Sequence, residues 1–264
     1  MMLYAAGDSF TFGDELAHPE RDAWPVILSN LISNDNTSPP PVSNDYVNIS
    51  GCGVSNQFIV DNTIAWFAKN LSNNVNDTIA IIGFTSENRF RICIKTDEYY
   101  EIIKTQNNRW VCMRTTSIEG YRPQNKQHDM SDKVLNTINS MLIKFLPHVA
   151  LSNQEYNMYI KYQHMLTVHN MLEINHIPHI FFNSFDRYDK PLDVSGYKDK
   201  DIANAIKFIV QQIKPCMLDI NMRNFCVDND YAFAPYGHPL EEGHKAWAEY
   251  LYTELKTRGL IKKR

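Results

Sequence analysis

The chain has 264 residues, 44% of them hydrophobic, enough for one substantial core and a single domain spanning 1–264. With 26 basic and 30 acidic residues the net charge is −4, so no positive field draws it to nucleic acid or an anionic membrane surface. Its 5 cysteines (Cys52, Cys93, Cys112, Cys216, Cys226) include no C-x-x-C pair, which argues against a disulfide framework and a zinc motif and fits a reducing compartment.

The amino-terminal "MMLYAAG" runs straight into structure without the charged and apolar regions of a leader. No apolar run approaches the roughly 18 residues of a membrane span. The expectation is a soluble, cytoplasmic chain without cofactor or metal, with association with a virus particle left open.

Short apolar runs alternate with helical patterns, the signature of βαβ units. The first strand, Leu3 to Ala6, leads directly into Gly7, Asp8 and Ser9 of "YAAGDSFTFGDEL". Asp and Ser are ordinary helix N-caps. The carboxyl ends of parallel strands are also where open α/β sheets hold their ligands. Next, Trp24, Ile27, Leu28, Leu31 and Ile32 recur at helical spacing, and the prolines of "SNDNTSPPPVSND" predict a loop. Asp45 to Ser50 is a second strand running into "GCGVSN", followed by a helix over about Asn56 to Asn70. "DTIAIIGF" is a third strand, apolar and β-branched as a strand buried on both faces should be.

Residues from about 86 to 147 are expected to form an insertion or lid near the active end of the sheet, with "FRICIKTDEYYEIIKTQNNRWVCMRTT" as a hairpin and "IEGYRPQNKQHDMSD" as loop. A long helix over about Asn153 to Asn175 precedes a fourth strand, "IPHIFFNS". Further helices cover about Lys200 to Ile213 and the stretch carrying Ala246, Trp247, Tyr250, Leu251 and Leu255. The helical spacers are the crossovers that a parallel sheet requires.

Three strands end in small or polar residues, in "GDSF", "GCGVSN" and "GFTSENR", and a parallel sheet brings such ends side by side. A serine nucleophile needs a base, and His238 in "GHPLEEGH" stands on a loop before the last helix. These blocks, in this order and spacing, resemble the SGNH (GDSL) hydrolase family across nearly the whole chain, in particular its phage and marine microbial members. The resemblance implies a flavodoxin-like three-layer α/β/α sandwich with a parallel sheet and a cofactor-free serine esterase mechanism. It makes Ser9 the nucleophile, His238 the general base, and the N–H groups of Ser9 and Gly53 two sides of an oxyanion hole.

Two positions depart from the family pattern. Pro235 stands where the family places its acid, three residues before the histidine. Asp228, Asp230 or a backbone carbonyl could orient the imidazole instead, and the carbonyl is preferred because both aspartates lie eight to ten residues away. "GFTSENR" replaces the usual third block, leaving Thr85, Ser86 or Asn88 as the side-chain oxyanion donor. Asn56 either anchors its turn or bonds near Ser9, and Arg89 is either scaffold or a substrate contact.

His244, six residues after His238, lacks helical metal-pair spacing and reads as packing; His164 and His169, five apart, do not share a helix face. "GCGVSN" lacks the lysine of a phosphate loop. The sequence reading is thus a hydrolase of short acyl esters, such as acetyl on a carbohydrate or small molecule. The alternative is a degenerate SGNH domain kept as a binding or structural module, for instance in a virus particle.

Overall fold

The computed structural model describes residues 1–33, 46–71, 75–87, 89–95, 98–104, 110–115, 154–185 and 193–261. The proline loop, Asn88 and the part of the expected insertion from 116 to 147 lie outside the described residues.

Strand β1 (Met2–Gly7) pairs in parallel with β2 (Tyr46–Ser50) on one side and β3 (Thr78–Phe84) on the other. β3 (Thr78–Phe84) pairs in parallel with the strand His179–Asn183, numbered β7 after the three strands of the insertion. The order β2-β1-β3-β7 is the flavodoxin-like order as far as its fourth place. Beyond β7 a single parallel bridge joins Phe181 to Met217, and the Leu218 N–H donates to the Phe181 carbonyl (2.8 Å), so the fifth place is held by a fragment of extended chain.

Residue alternation along these strands divides the core in two. Tyr4, Ala6, Ala80, Ile82, Phe84 and Phe181 face helices α4 (Asn56–Asn70), α5 (Gln154–Ile174) and α6 (Lys200–Ile213). Leu3, Ala5, Ile79, Ile81, Ile180 and Phe182 face α3 (Trp24–Ser33), α7 (Met222–Asp228) and α8 (Glu241–Thr257); α3 follows the one-turn helix α2 (Pro19–Asp22). Both faces are therefore dry, which explains why β3 (Thr78–Phe84) shows continuous apolarity rather than alternation. Trp24, Trp247, Tyr4, Phe67, Phe84, Phe181 and Phe182 are fully enclosed. Burying a large apolar side chain contributes about 1.5–3 kcal/mol before its ordering cost.

The chain leaves β3 at its carboxyl end to form a separate antiparallel sheet of β4 (Arg89–Lys95), β5 (Glu98–Lys104) and β6 (Trp110–Thr115). The predicted hairpin is thus a three-stranded meander, because "WVCMRT" supplies another strand that pairs with β5 from Tyr99↔Thr115 to Lys104↔Trp110. Among the described residues no helix is long and apolar enough to cross a membrane.

Candidate active site

β1 lies between β2 and β3, so connections depart to opposite sides of it. The crevice outside its carboxyl end is the topological switch point where open α/β sheets bind ligands. The chain emerging there forms a one-turn helix, α1 (Ser9–Phe12). Asp8 caps it: its side chain accepts from the Phe10 N–H (3.1 Å), and its carbonyl accepts from the N–H groups of Thr11 (3.0 Å) and Phe12 (2.9 Å). Gly13 ends the helix in the left-handed conformation (φ 82°). Ser9 is therefore the first helical residue, and its N–H has no intrahelical acceptor.

Close packing fixes this turn. A Cβ on Gly7 would overlap Thr11 Oγ1 and come within 2.7 Å of Thr11 Cβ, so α1 lies against backbone that only glycine permits.

Two residues beyond Gly13, Glu15 adopts φ 68°, a strained conformation for a side-chain-bearing residue. That twist directs its carboxylate toward the loop before α8. There the chain folds into a tight hairpin: the Ala234 N–H donates to the His238 carbonyl (2.8 Å), the Gly237 N–H to the Ala234 carbonyl (2.9 Å) and the Leu240 N–H to the Ala232 carbonyl (3.1 Å). Glu15 accepts from the Tyr236 N–H (3.1 Å to Oε1, 3.2 Å to Oε2) and binds His238 Nδ1 at 2.7 Å. On the other side of the ring, His238 Nε2 is 2.9 Å from Ser9 Oγ. Phe10 packs edge-on against the imidazole, with ring centroids 5.4 Å apart.

The geometry fixes the tautomer. Burial opposes ionisation of Glu15, but hydrogen bonds from the His238 ring and the Tyr236 N–H outweigh it and hold the carboxyl below its usual range. A carboxylate can only accept, so Nδ1 carries the proton and Nε2 presents a lone pair to the Ser9 hydroxyl.

The imidazole's Nδ1 partner is Glu15, in place of Asp228, Asp230 or the backbone carbonyl expected from the sequence. Among the described residues the carboxylates within 4.0 Å of His238 are Glu15 and Asp14, whose Oδ2 is 3.9 Å from Nε2. Asp228 closes α7, and Asp230 follows in its own left-handed turn (φ 57°) before the hairpin begins. Glu15 lies within the motif itself, six residues after Ser9. The signal for it is a carboxylate two residues after the helix-ending Gly13, in a chain with Pro235 at the customary acid position.

The other candidates divide. Gly53 sits in the turn leaving β2 with φ 70°, and that turn is tied to the Ser9 turn by the Gly51 N–H donating to the Gly7 carbonyl (3.2 Å). Asn56 clamps the end of β3: its Oδ1 accepts from the Thr85 N–H (2.9 Å), and its Nδ2 donates to the carbonyls of Thr85 (3.1 Å) and Ser86 (3.3 Å). Its amide is thus spent on scaffold and not on a substrate. Thr85 is fully enclosed, with its N–H held by Asn56. Arg89 Nη1 donates to the Val54 carbonyl (3.3 Å) and lies 3.7 Å from Asp8 Oδ2, while its guanidinium covers the Phe185 ring at 4.9 Å. It ties the turn after β2 to the Ser9 turn. Half-buried Cys52 neighbours Asp14; burial and then that carboxylate push its thiol pKa up, which leaves it a poor nucleophile.

No family model and no curated protein matches the chain. Among solved structures, TesA is similar at 11% identity over 98% of this chain and 99% of that one, with a TM-score of 0.49. The psychrotrophic esterase EstA from Pseudoalteromonas sp. is similar at 8% identity, covering 97% of each chain, with a TM-score of 0.49. An acetylxylan esterase from Geobacillus stearothermophilus, Axe2, is similar at 13% identity over 100% of this chain and 97% of that one, with a TM-score of 0.45. At such identities and TM-scores the chemistry is read from the geometry of this chain's own residues.

Proposed function

We propose that the chain is a serine ester hydrolase of the SGNH type acting through Ser9, His238 and Glu15. The observation that carries this reading is the unbroken relay from Ser9 Oγ to His238 Nε2 (2.9 Å) and from His238 Nδ1 to Glu15 (2.7 Å). Both distances lie within hydrogen-bond reach, and the ring is held in the tautomer that a general base needs.

Ser9 Oγ attacks the ester carbonyl carbon while its proton passes to His238 Nε2. The N–H groups of Ser9 and Gly53 receive the oxyanion of the tetrahedral intermediate; losing one such donor typically costs about 100- to 1,000-fold. The imidazolium is stabilised by Glu15 on one side and by the Asp14 carboxylate on the other. It returns the proton to the departing alkoxide, leaving an acyl-serine. Water, deprotonated by His238, then releases the acid and restores Ser9.

The proposed substrates are short acyl esters, acetyl above all, on a carbohydrate or related small molecule. Tyr236, 88% exposed and two residues from His238, supports a sugar-sized alcohol, since its ring offers a face to the C–H surface of a pyranose.

The test is turnover of p-nitrophenyl acetate and an acetylated sugar by wild type and Ser9→Ala, with circular dichroism to verify folding. Wild-type turnover that Ser9→Ala abolishes is the expected result. Equal turnover by the two, or no turnover of any member of a broad ester panel, would overturn the reading.

A further inference from the structure

We propose that His169, His179 and Cys216 form a structural site for a tetrahedral metal ion of the zinc class, at the opposite end of the sheet from Ser9. The three side chains come from three elements: His169 from α5, His179 from the first position of β7, and Cys216 from the short 3₁₀ turn Lys214–Cys216 after α6. Their ligand atoms all lie within 4.8 Å of one another. His179 and Cys216 are buried, at 5% and 6% exposure. Because the strands are parallel, the start of β7 and the end of β1 lie at opposite edges, and the site is remote from the relay.

The donor set and its spacing both fit. Imidazole nitrogen and thiolate sulfur are the usual structural zinc ligands. Bond lengths of about 2.0–2.1 Å to nitrogen and about 2.3 Å to sulfur give a tetrahedron with S···N edges of about 3.6 Å and N···N edges of about 3.3 Å. Cys216 Sγ is 3.6 Å from His169 Nδ1, and His169 Nδ1 is 2.9 Å from His179 Nε2. The third edge, from Cys216 Sγ to His179 Nε2, lies within the 4.8 Å span of the cluster, so binding asks the N···N edge to open by about 0.4 Å and this edge to close by up to about 1.2 Å.

The surroundings supply a second observation. His179 Nδ1 is 2.9 Å from the Ile177 carbonyl, which can only accept. That bond keeps the proton on Nδ1 and turns the Nε2 lone pair toward His169 and Cys216, as the outer-shell partner of a metal-bound histidine does. One helical turn after His169, Glu173 Oε1 lies 4.0 Å from His179 Nε2, on a side chain 62% exposed and free to swing. Glu173 or a water completes the tetrahedron.

Without metal the cluster is held by hydrogen bonds: His169 Nδ1–H donates to His179 Nε2, and the Cys216 thiol donates to the Ile213 carbonyl (3.0 Å). On binding, the thiol proton leaves to solvent and the His169 proton moves from Nδ1 to Nε2. Each ligand then offers a lone pair, and the metal's charge is lowered by one thiolate.

The experiment uses the full chain, purified under reducing conditions, stripped with chelator and titrated with Co²⁺. The expected result is one equivalent bound, with the visible d–d bands of a four-coordinate ion and a near-ultraviolet thiolate-to-cobalt band, both displaced by Zn²⁺. Zn²⁺ should also raise the Tm. Cys216→Ser should lose the charge-transfer band. His169→Gln, at a half-buried position, should weaken binding beyond the about 10- to 100-fold typical of losing an outer-shell partner and abolish the Tm rise. No stoichiometric uptake by wild type, or unchanged spectra and Tm response in both variants, would reduce the cluster to a hydrogen-bonded one and overturn the proposal. Because the site is remote from Ser9, ester turnover should be the same in stripped and Zn²⁺-loaded protein.

Discussion

Replacing Glu15 by Gln isolates what its charge does. The Gln side chain fills nearly the same space, and its Oε1 can still accept from the Tyr236 N–H, which Glu15 now receives at 3.1–3.2 Å. That leaves the NH₂ group facing His238 Nδ1, where the carboxylate oxygen stood at 2.7 Å. An amide donor there demands a lone pair on Nδ1, so the ring's proton moves to Nε2 and can no longer accept the Ser9 proton. The imidazolium formed during attack also loses its anionic neighbour. Both effects fall on kcat, and the expected loss is on the order of 10³- to 10⁴-fold, equivalent to about 4–5.5 kcal/mol of barrier. The assay is steady-state hydrolysis of p-nitrophenyl acetate by folded Glu15→Gln beside His238→Ala, with KM expected to change little. Asp228→Asn and Asp230→Asn should stay within about twofold of wild type, as exposed positions without a partner in the relay do. A folded Glu15→Gln within about tenfold of wild-type kcat would refute the triad assignment.

Asn56→Ala removes three hydrogen bonds around Thr85 and Ser86 and strands the buried Thr85 N–H, so urea unfolding should show a loss of about 2–4 kcal/mol; a loss below about 1 kcal/mol would show the clamp to be dispensable. Gly7→Ala drives a methyl into Thr11, so α1 must shift and carry Ser9 with it; kcat should fall at least about tenfold and stability by about 1–3 kcal/mol, and an unchanged kcat would mean that α1 is not packed as described. His244 is buried and accepts from the Trp24 N–H (3.2 Å), and burial lowers its pKa from 6.5 to about 3. The unfolded chain therefore binds the extra proton first: the stabilisation is complete above about pH 6.5 and is lost progressively toward pH 3, a slope that His244→Gln should flatten in urea midpoints. Glu15 has the same sign with its window lower. Its stabilisation is full above the ordinary carboxylate range of about 4.3 and fades as pH falls through its depressed value, so the difference in urea midpoint between wild type and Glu15→Gln should shrink below about pH 4.

Whatever depends on neighbours a few positions away is legible in the amino-acid order alone. The apolar run at Thr78, the helical spacing from Trp24 and the Asp-Ser cap after a short strand each report a local preference. Their alternation was sufficient for four parallel strands and for Ser9 at a strand's carboxyl end. Motifs at the two ends of the chain single out Ser9 and His238, but not the carboxylate that meets the imidazole. Glu15 and His238 are 223 residues apart, and nothing local to either reveals the other. Their meeting depends on a left-handed backbone at Glu15 and on a hairpin whose Tyr236 N–H also needs an acceptor. The same holds for His244, whose backbone partner Trp24 lies 220 residues away, and for Cys216, which meets His169 across 47 positions. Such contacts are chosen by packing of both sheet faces, which brings distant segments together only after the local elements have formed. Which carboxylate meets the imidazole is therefore fixed by packing and not by any local sequence signal.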